Sequence, residues 1–213
     1  DVYKRQLSLK PSEIAKCIEE IGMGFMFAPA HHSAMKHVIG PRKEIGQKSI
    51  SDVLGPLTNP ASAKRQLMGV YDKKWMLPIA EVLKELGSDH LLIVHSKDGL
   101  DEISIASSTF VVEMKNGQIS EYEIFPEDFG FQRSSLEGLQ VSSPEESLRI
   151  AKSALRGEHE EASAMVAMTA GAALYISNIA DSLESGMNLA KDCIEEGGGI
   201  KKLNQLAEFS SKF

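Results

Sequence analysis

Cysteine is scarce in this 213-residue chain: Cys17 and Cys193 are the only two, far apart and in no CxxC pair. That excludes a disulfide framework. With nine methionines it suits a reducing compartment and free, buried thiols. Long hydrophobic runs are missing as well. The most apolar stretch, residues 162–176, falls short of the roughly 20 residues of a membrane span and carries Ser, Thr and Gly, so it reads as a buried helix. No block of like charge occurs, and 30 Asp and Glu against 23 Lys and Arg leave a net charge of −7. Such a chain is not expected to bind nucleic acid. The first residues, DVYKRQ, hold no apolar core of a signal peptide, which points to the cytoplasm. They also lack an initiator Met, so the sequence is expected to begin inside a longer protein.

Hydrophobic residues make up 42% and charged residues 25%, the balance of a globular domain. No internal repeat and no low-complexity linker appears, so residues 1–213 read as one domain. Ile14, Cys17, Ile18 and Ile21 follow helical spacing up to Gly22. Residues 23–27 form a short apolar run expected to be a buried strand. A second helical stretch carries Met35, Val38 and Ile39, and residues 51–60, rich in Gly and Pro, read as an ordered loop. Strand, helix, strand over residues 66–71, 75–86 and 90–95 predicts a parallel pair joined by a right-handed crossover. Lys115-Asn116-Gly117 between two β-prone runs, residues 109–114 and 118–124, predicts a hairpin. From Ser143 onward the chain reads as helical: a helix begins after Ser143-Pro144, a central apolar helix spans residues 160–179, Asp181 caps another, and Gly197 to Gly199 break it before a last short helix. The predicted architecture is α/β: a partial mixed sheet, from runs near 23, 66, 90, 109 and 118, flanked by helices, with a helical C-terminal segment.

Asp98-Gly99-Leu100-Asp101-Glu102 follows directly on the strand ending at His95. Ligands of α/β sheets bind beyond the carboxyl ends of strands, and adjacent carboxylates there can hold Mg²⁺ together with substrate phosphates. A solvated acidic turn is the other reading of the same residues. His31, His32 and His37 lack the fourth ligand and common direction that zinc needs. They fit hydrogen bonding at a pocket mouth, or a structural cap. Arg42 can bond a small carboxylate bidentately, or form a plain basic surface pair with Lys43. Pro56 and Pro60 can wall a pocket for a flat apolar ligand, or simply stiffen a structural loop.

Taken in order, Ala28-Pro-Ala-His-His-Ser-Ala-Met-Lys-His37, Pro41-Arg42, Leu54-Gly-Pro-Leu-Thr-Asn-Pro-Ala61, Gln66-Leu-Met-Gly-Val-Tyr71 and Asp98-Gly-Leu-Asp-Glu102 resemble the anthranilate phosphoribosyltransferases over nearly the whole chain. The resemblance implies a nucleoside phosphorylase/phosphoribosyltransferase type of catalytic domain and a Mg²⁺-dependent transfer of phosphoribose from phosphoribosyl pyrophosphate to anthranilate. It implies that Asp101 and Glu102 hold the metal, that Arg42 holds the anthranilate carboxylate, and that His32, His31, Gly55 and Pro56 line the anthranilate channel. The family's N-terminal helices, through which it forms homodimers, and its Gly-Thr-Gly-Gly-Asp loop for the pyrophosphate are not in this sequence. The resemblance therefore implies a C-terminal portion, an incomplete domain inactive by itself, with residues 1–6 non-native. Two other readings compete: a related nucleoside phosphorylase-like transferase with another acceptor, and a non-catalytic remnant.

Overall fold

A computed structural model describes residues 6–27, 31, 57, 59 and 61–213. They belong to two compact units, one formed by Asp1–Asn59 with Gly199–Phe213, the other by Pro60–Gly198.

In the first unit, helix α1 spans Pro11–Ile21. Pro11 opens it without losing a helical hydrogen bond, and the Glu13 carboxylate accepts the Lys10 N–H at 2.7 Å. Gly22, at φ 76°, ends it in the left-handed conformation that glycine adopts without strain. Ile14 and the fully buried Cys17 pack with Leu9 and Leu206, flanked by Met23, Met26 and Phe209. The expected strand over residues 23–27 does not form; no β structure occurs there. Its methionines join this helical cluster instead, a use of a short apolar run that periodicity does not separate from a strand. The expected helix around Met35, Val38 and Ile39 and nearly all of the loop over residues 51–60 lie outside the described residues.

The second unit holds a four-stranded mixed sheet in the order β1 (Arg65–Gly69), β2 (His90–Ser96), β3 (Thr109–Lys115), β4 (Gln118–Ile124). β1 and β2 are parallel, with Gly69 opposite Val94, and helix α2 (Met76–Glu85) lies between them in sequence. β3 and β4 continue antiparallel. Their two-residue turn places Asn116 at φ 52° and Gly117 at φ 77°, the twist that Asn-Gly supplies. β2 is buried along almost its whole length because both sheet faces are covered. α2 packs on β2 and β3, whereas Leu92 and Val94 face a core shared with Ala167, Met168, Ala172 and Met187.

That second face is covered by α4 (Glu160–Ile176) and α5 (Leu183–Glu195), preceded by α3 (Pro144–Ala154). The Ser143 hydroxyl caps α3 by accepting the Glu146 N–H at 3.1 Å. α4 ends three residues earlier than expected, where Asn178 turns to φ 59°. Ser182, not Asp181, caps α5: Ser182 and Ser185 accept each other's backbone N–H at 3.1 Å. Gly171 of α4 and Gly186 of α5 meet backbone to backbone. A Cβ on Gly186 would lie 2.3 Å from the Gly171 oxygen, and one on Gly171 would lie 2.4 Å from the Met187 Cα. Cys193 lies exposed on α5, so only Cys17 meets the expectation of a buried thiol. Of the three glycines at 197–199 only Gly197, at φ 72°, breaks the chain; the next two begin α6 (Gly198–Ser210). Among the described residues no helix is long and apolar enough to cross a membrane.

Candidate active site

β1 and β2 are parallel, so their carboxyl ends lie side by side, where Val70 donates its N–H to the Val94 oxygen at 3.0 Å. The His95 ring closes the same end, its Nδ1 2.8 Å from the Val70 oxygen. The connection that leaves this end, residues 97–108, is tied at its base by Ser96 N–H to the Leu100 oxygen and Lys97 N–H to the Ser108 oxygen, both at 2.9 Å. Gly99 turns at φ 95°, which a side chain would strain.

Asp98 organises this loop. One carboxylate oxygen accepts from the Ser96 hydroxyl and, at 3.2 Å, from the Leu100 N–H; the other accepts from the Ser104 hydroxyl at 2.5 Å. Its own N–H donates to the Ser107 hydroxyl at 3.1 Å. Burial pushes the Asp98 carboxyl up, but the hydrogen bonds from Ser104, Ser96, Leu100 and Ser107 outweigh it and hold the group below its ordinary range. Beyond Leu100 the chain alternates sharply. Asp101 and Glu102 reach solvent, and Ile103, Ser104 and Ile105 are buried. The Asp101 carbonyl rests on Gly69 at the end of β1, 1.6 Å from where a Cβ would begin.

Asp101 and Glu102 thus stand together at the carboxyl end of the parallel pair. Crowding around Glu102 raises its carboxyl above the ordinary range, and the neighbouring Asp101 charge adds to this. Among the described residues no hydrogen bond or ion pair compensates either carboxylate. No group of three or more His, Cys, Asp or Glu gathers there, or elsewhere among the described residues, as a cage made by protein alone. Two adjacent carboxylate donors do fit Mg²⁺, which retains waters and shares itself with substrate phosphates. His31 belongs to the first unit, where its N–H reaches the Phe27 oxygen at 3.3 Å and its Nε2 is buried without a partner among the described residues. His32, Arg42, Gly55 and Pro56 lie outside the described residues. Reading the sequence grouped Asp98 with the exposed acids and passed over Gly69. The serines at 96 and 104 were the only local sign that Asp98 turns inward.

The acid pair thus lies beyond the carboxyl ends of the parallel strands, the place where α/β sheets bind their ligands. Residues 2–200 match the family described as "Glycosyl transferase family, a/b domain", and the chain belongs to it. Within that family it is similar to the anthranilate phosphoribosyltransferase of Marinomonas sp., 54% identical over 209 residues, which cover 97% of this chain and 60% of that relative. The crystal structure of anthranilate phosphoribosyltransferase from Thermus thermophilus superposes with a TM-score of 0.87 at 35% identity, over 96% of this chain and 61% of that one. A Saccharomyces cerevisiae anthranilate phosphoribosyltransferase solved in complex with PRPP and Mg has the same fold, with a TM-score of 0.86 at 24% identity over 98% of this chain and 60% of that one. The chain spans about 60% of the length of the curated relatives it matches.

Proposed function

We propose that the complete protein containing this chain transfers the 5-phosphoribosyl group of phosphoribosyl pyrophosphate to the amino group of anthranilate, releasing pyrophosphate, as a cytoplasmic step of tryptophan biosynthesis. The observation that carries this reading is the Asp101–Glu102 pair, uncompensated among the described residues, at the carboxyl end of the parallel strands. Similarity to enzymes of that name supports the choice of acceptor. Asp101 and Glu102 would hold Mg²⁺, which when bound offsets the negative charge of the departing pyrophosphate.

This chain would also supply the acceptor side of the site. The Arg42 guanidinium pairs bidentately with the anthranilate carboxylate and fixes the direction of the amine. His32 and His31, with Gly55 and Pro56, line the acceptor's path. An aromatic amine is already neutral at pH 7, so the site's task toward it is positioning, and a strong general base is less necessary.

The test is the loss of anthranilate fluorescence on addition of phosphoribosyl pyrophosphate and Mg²⁺ to the complete protein. Turnover is expected, with Arg42→Ala raising KM for anthranilate at least about tenfold through the lost bidentate charge-assisted bond. A folded complete protein that leaves the fluorescence unchanged rejects the reading. Turnover with an unaltered KM in Arg42→Ala takes the carboxylate clamp away from Arg42 and leaves the reaction standing.

A further inference from the structure

The loop bearing the acid pair contains a third carboxylate that could be mistaken for a ligand. Asp98 differs from Asp101 and Glu102 in that both of its oxygens already accept hydrogen bonds. Two of the donors, the Ser96 and Ser104 hydroxyls, belong to residues with no solvent exposure. Ser104 in turn accepts the Ala106 N–H at 3.0 Å, and its own N–H donates to the Thr109 hydroxyl at 3.1 Å. The bracing lies on both sides of the pair. Asp98 fixes Leu100 before it, and the buried Ile103, Ser104 and Ile105 fix the chain after it. The Asp101 carbonyl, between these anchors, rests on Gly69.

Resting on the reading of Asp101 and Glu102 as the metal site, we infer that Asp98 is a positioning residue. Its carboxylate gathers Ser96, Leu100 and Ser104, so that Asp101 and Glu102 present their oxygens together to one cation, and it does not ligate that cation itself. An ionised carboxylate with both oxygens engaged would have to break two hydroxyl bonds to buried serines before it could reach a metal. Partners one layer out from a metal set the direction of the groups that touch it, and their removal typically lowers affinity ten- to a hundredfold, roughly.

Mn²⁺ is the probe, its free concentration read by electron paramagnetic resonance during titration of the whole chain. Four variants are compared: the double variant Asp101→Asn with Glu102→Gln, and the single variants Asp98→Asn, Ser104→Ala and Ser96→Ala. Far-ultraviolet circular dichroism and amide exchange over residues 97–108 are followed alongside. The double variant should abolish binding. Asp98→Asn should raise the Mn²⁺ Kd about tenfold. Ser104→Ala, which removes no charge, should raise it several-fold. Exchange should quicken within the loop while the global unfolding midpoint moves little.

If the double variant binds Mn²⁺ like the unaltered chain, the metal-site reading falls and this inference with it. If it loses binding while Asp98→Asn and Ser104→Ala bind normally, the positioning role is wrong and the metal site stands. Loss in Asp98→Asn alone, with Ser104→Ala unaffected, would make Asp98 a ligand and overturn the inference as well. Should Asp98→Asn fail to fold, the serine variants decide, because they keep every charge.

Discussion

The carbonyl oxygen of Asp101 occupies the space where a side chain on Gly69 would begin, 1.6 Å from that Cβ position, with the carbonyl carbon 2.5 Å from it. Two backbone segments, not a flexible side chain, would have to separate to admit a methyl group. Gly69→Ala should therefore cost about 1–3 kcal/mol, the usual range for forced overpacking, and should weaken Mn²⁺ binding at the neighbouring carboxylates. Urea unfolding and metal titration of the same variant check this; an unchanged midpoint together with an unchanged Kd would mean the contact yields freely.

The Gly171–Gly186 contact sets how closely α4 and α5 approach, and the helices bury Met187 and Ala172 beside it. Alanine at either position should lower stability by about 2 kcal/mol through overpacking. The double variant should lose less than the sum, because the first methyl already separates the helices. A urea series on the three variants measures the coupling, and strict additivity would contradict a shared contact.

Glu113 is the hub of a buried polar cluster. Its carboxylate accepts from Tyr175 and Tyr122 and lies against the His90 Nε2, each at 2.8 Å, and Lys115 donates to the Tyr175 hydroxyl at 3.1 Å. Burial pushes the Glu113 carboxyl up, but the bonds from Tyr175, His90 and Tyr122 together leave it below the ordinary value of 4.5. On acidification the unfolded chain therefore takes up this proton first. The stabilising contribution is complete above pH 4.5 and is lost as pH falls through the folded-state pKa. Glu113→Gln forces an amide NH₂ among hydroxyl donors and should cost about 1–3 kcal/mol near neutrality, the range for a buried polar group left unsatisfied. The gap to the unaltered protein should shrink in acid. Thermal melts across pH 3–7 would reveal it, and a pH-independent gap would refute the role of ionisation.

At the start of α3, Ser143→Ala removes the hydroxyl that satisfies the Glu146 N–H. The loss should be about 1 kcal/mol, within the range for a helix cap, with α3 exchanging its first-turn amides faster by hydrogen exchange.

The second unit's helices and sheet could be read closely in the sequence because their signals are local. The Asn116-Gly117 turn dictates a register in which Lys115 faces Gln118, and the apolar strand from His90 with the helix before it dictates a parallel neighbour. Once the end of β2 was placed, the position of Asp101 and Glu102 followed. What escaped depends on distance along the chain. Gly69 and Asp101 are 32 residues apart, and no spacing rule relates a strand glycine to a loop carbonyl. Asp98 resembles its acidic neighbours until the buried hydroxyls facing it are known. Residues 23–27 show the opposite error: an apolar run long enough for a strand was taken up by a helical cluster, because burial of Met23 and Met26 needed no sheet.

Every strand of the sheet lies beside the strand next to it in sequence. Closing β3 on β4 spans two turn residues, whereas bringing β1 to β2 spans residues 70–89, and closure entropy rises by roughly 0.6 kcal/mol for each doubling of loop length. Such an order of contacts favours rapid assembly that starts at the hairpin and reaches β1 last. In that order Gly69 would come last, under a loop whose ends β2 and β3 already hold, and pairing β1 with β2 would then also seat the Asp101 carbonyl against Gly69.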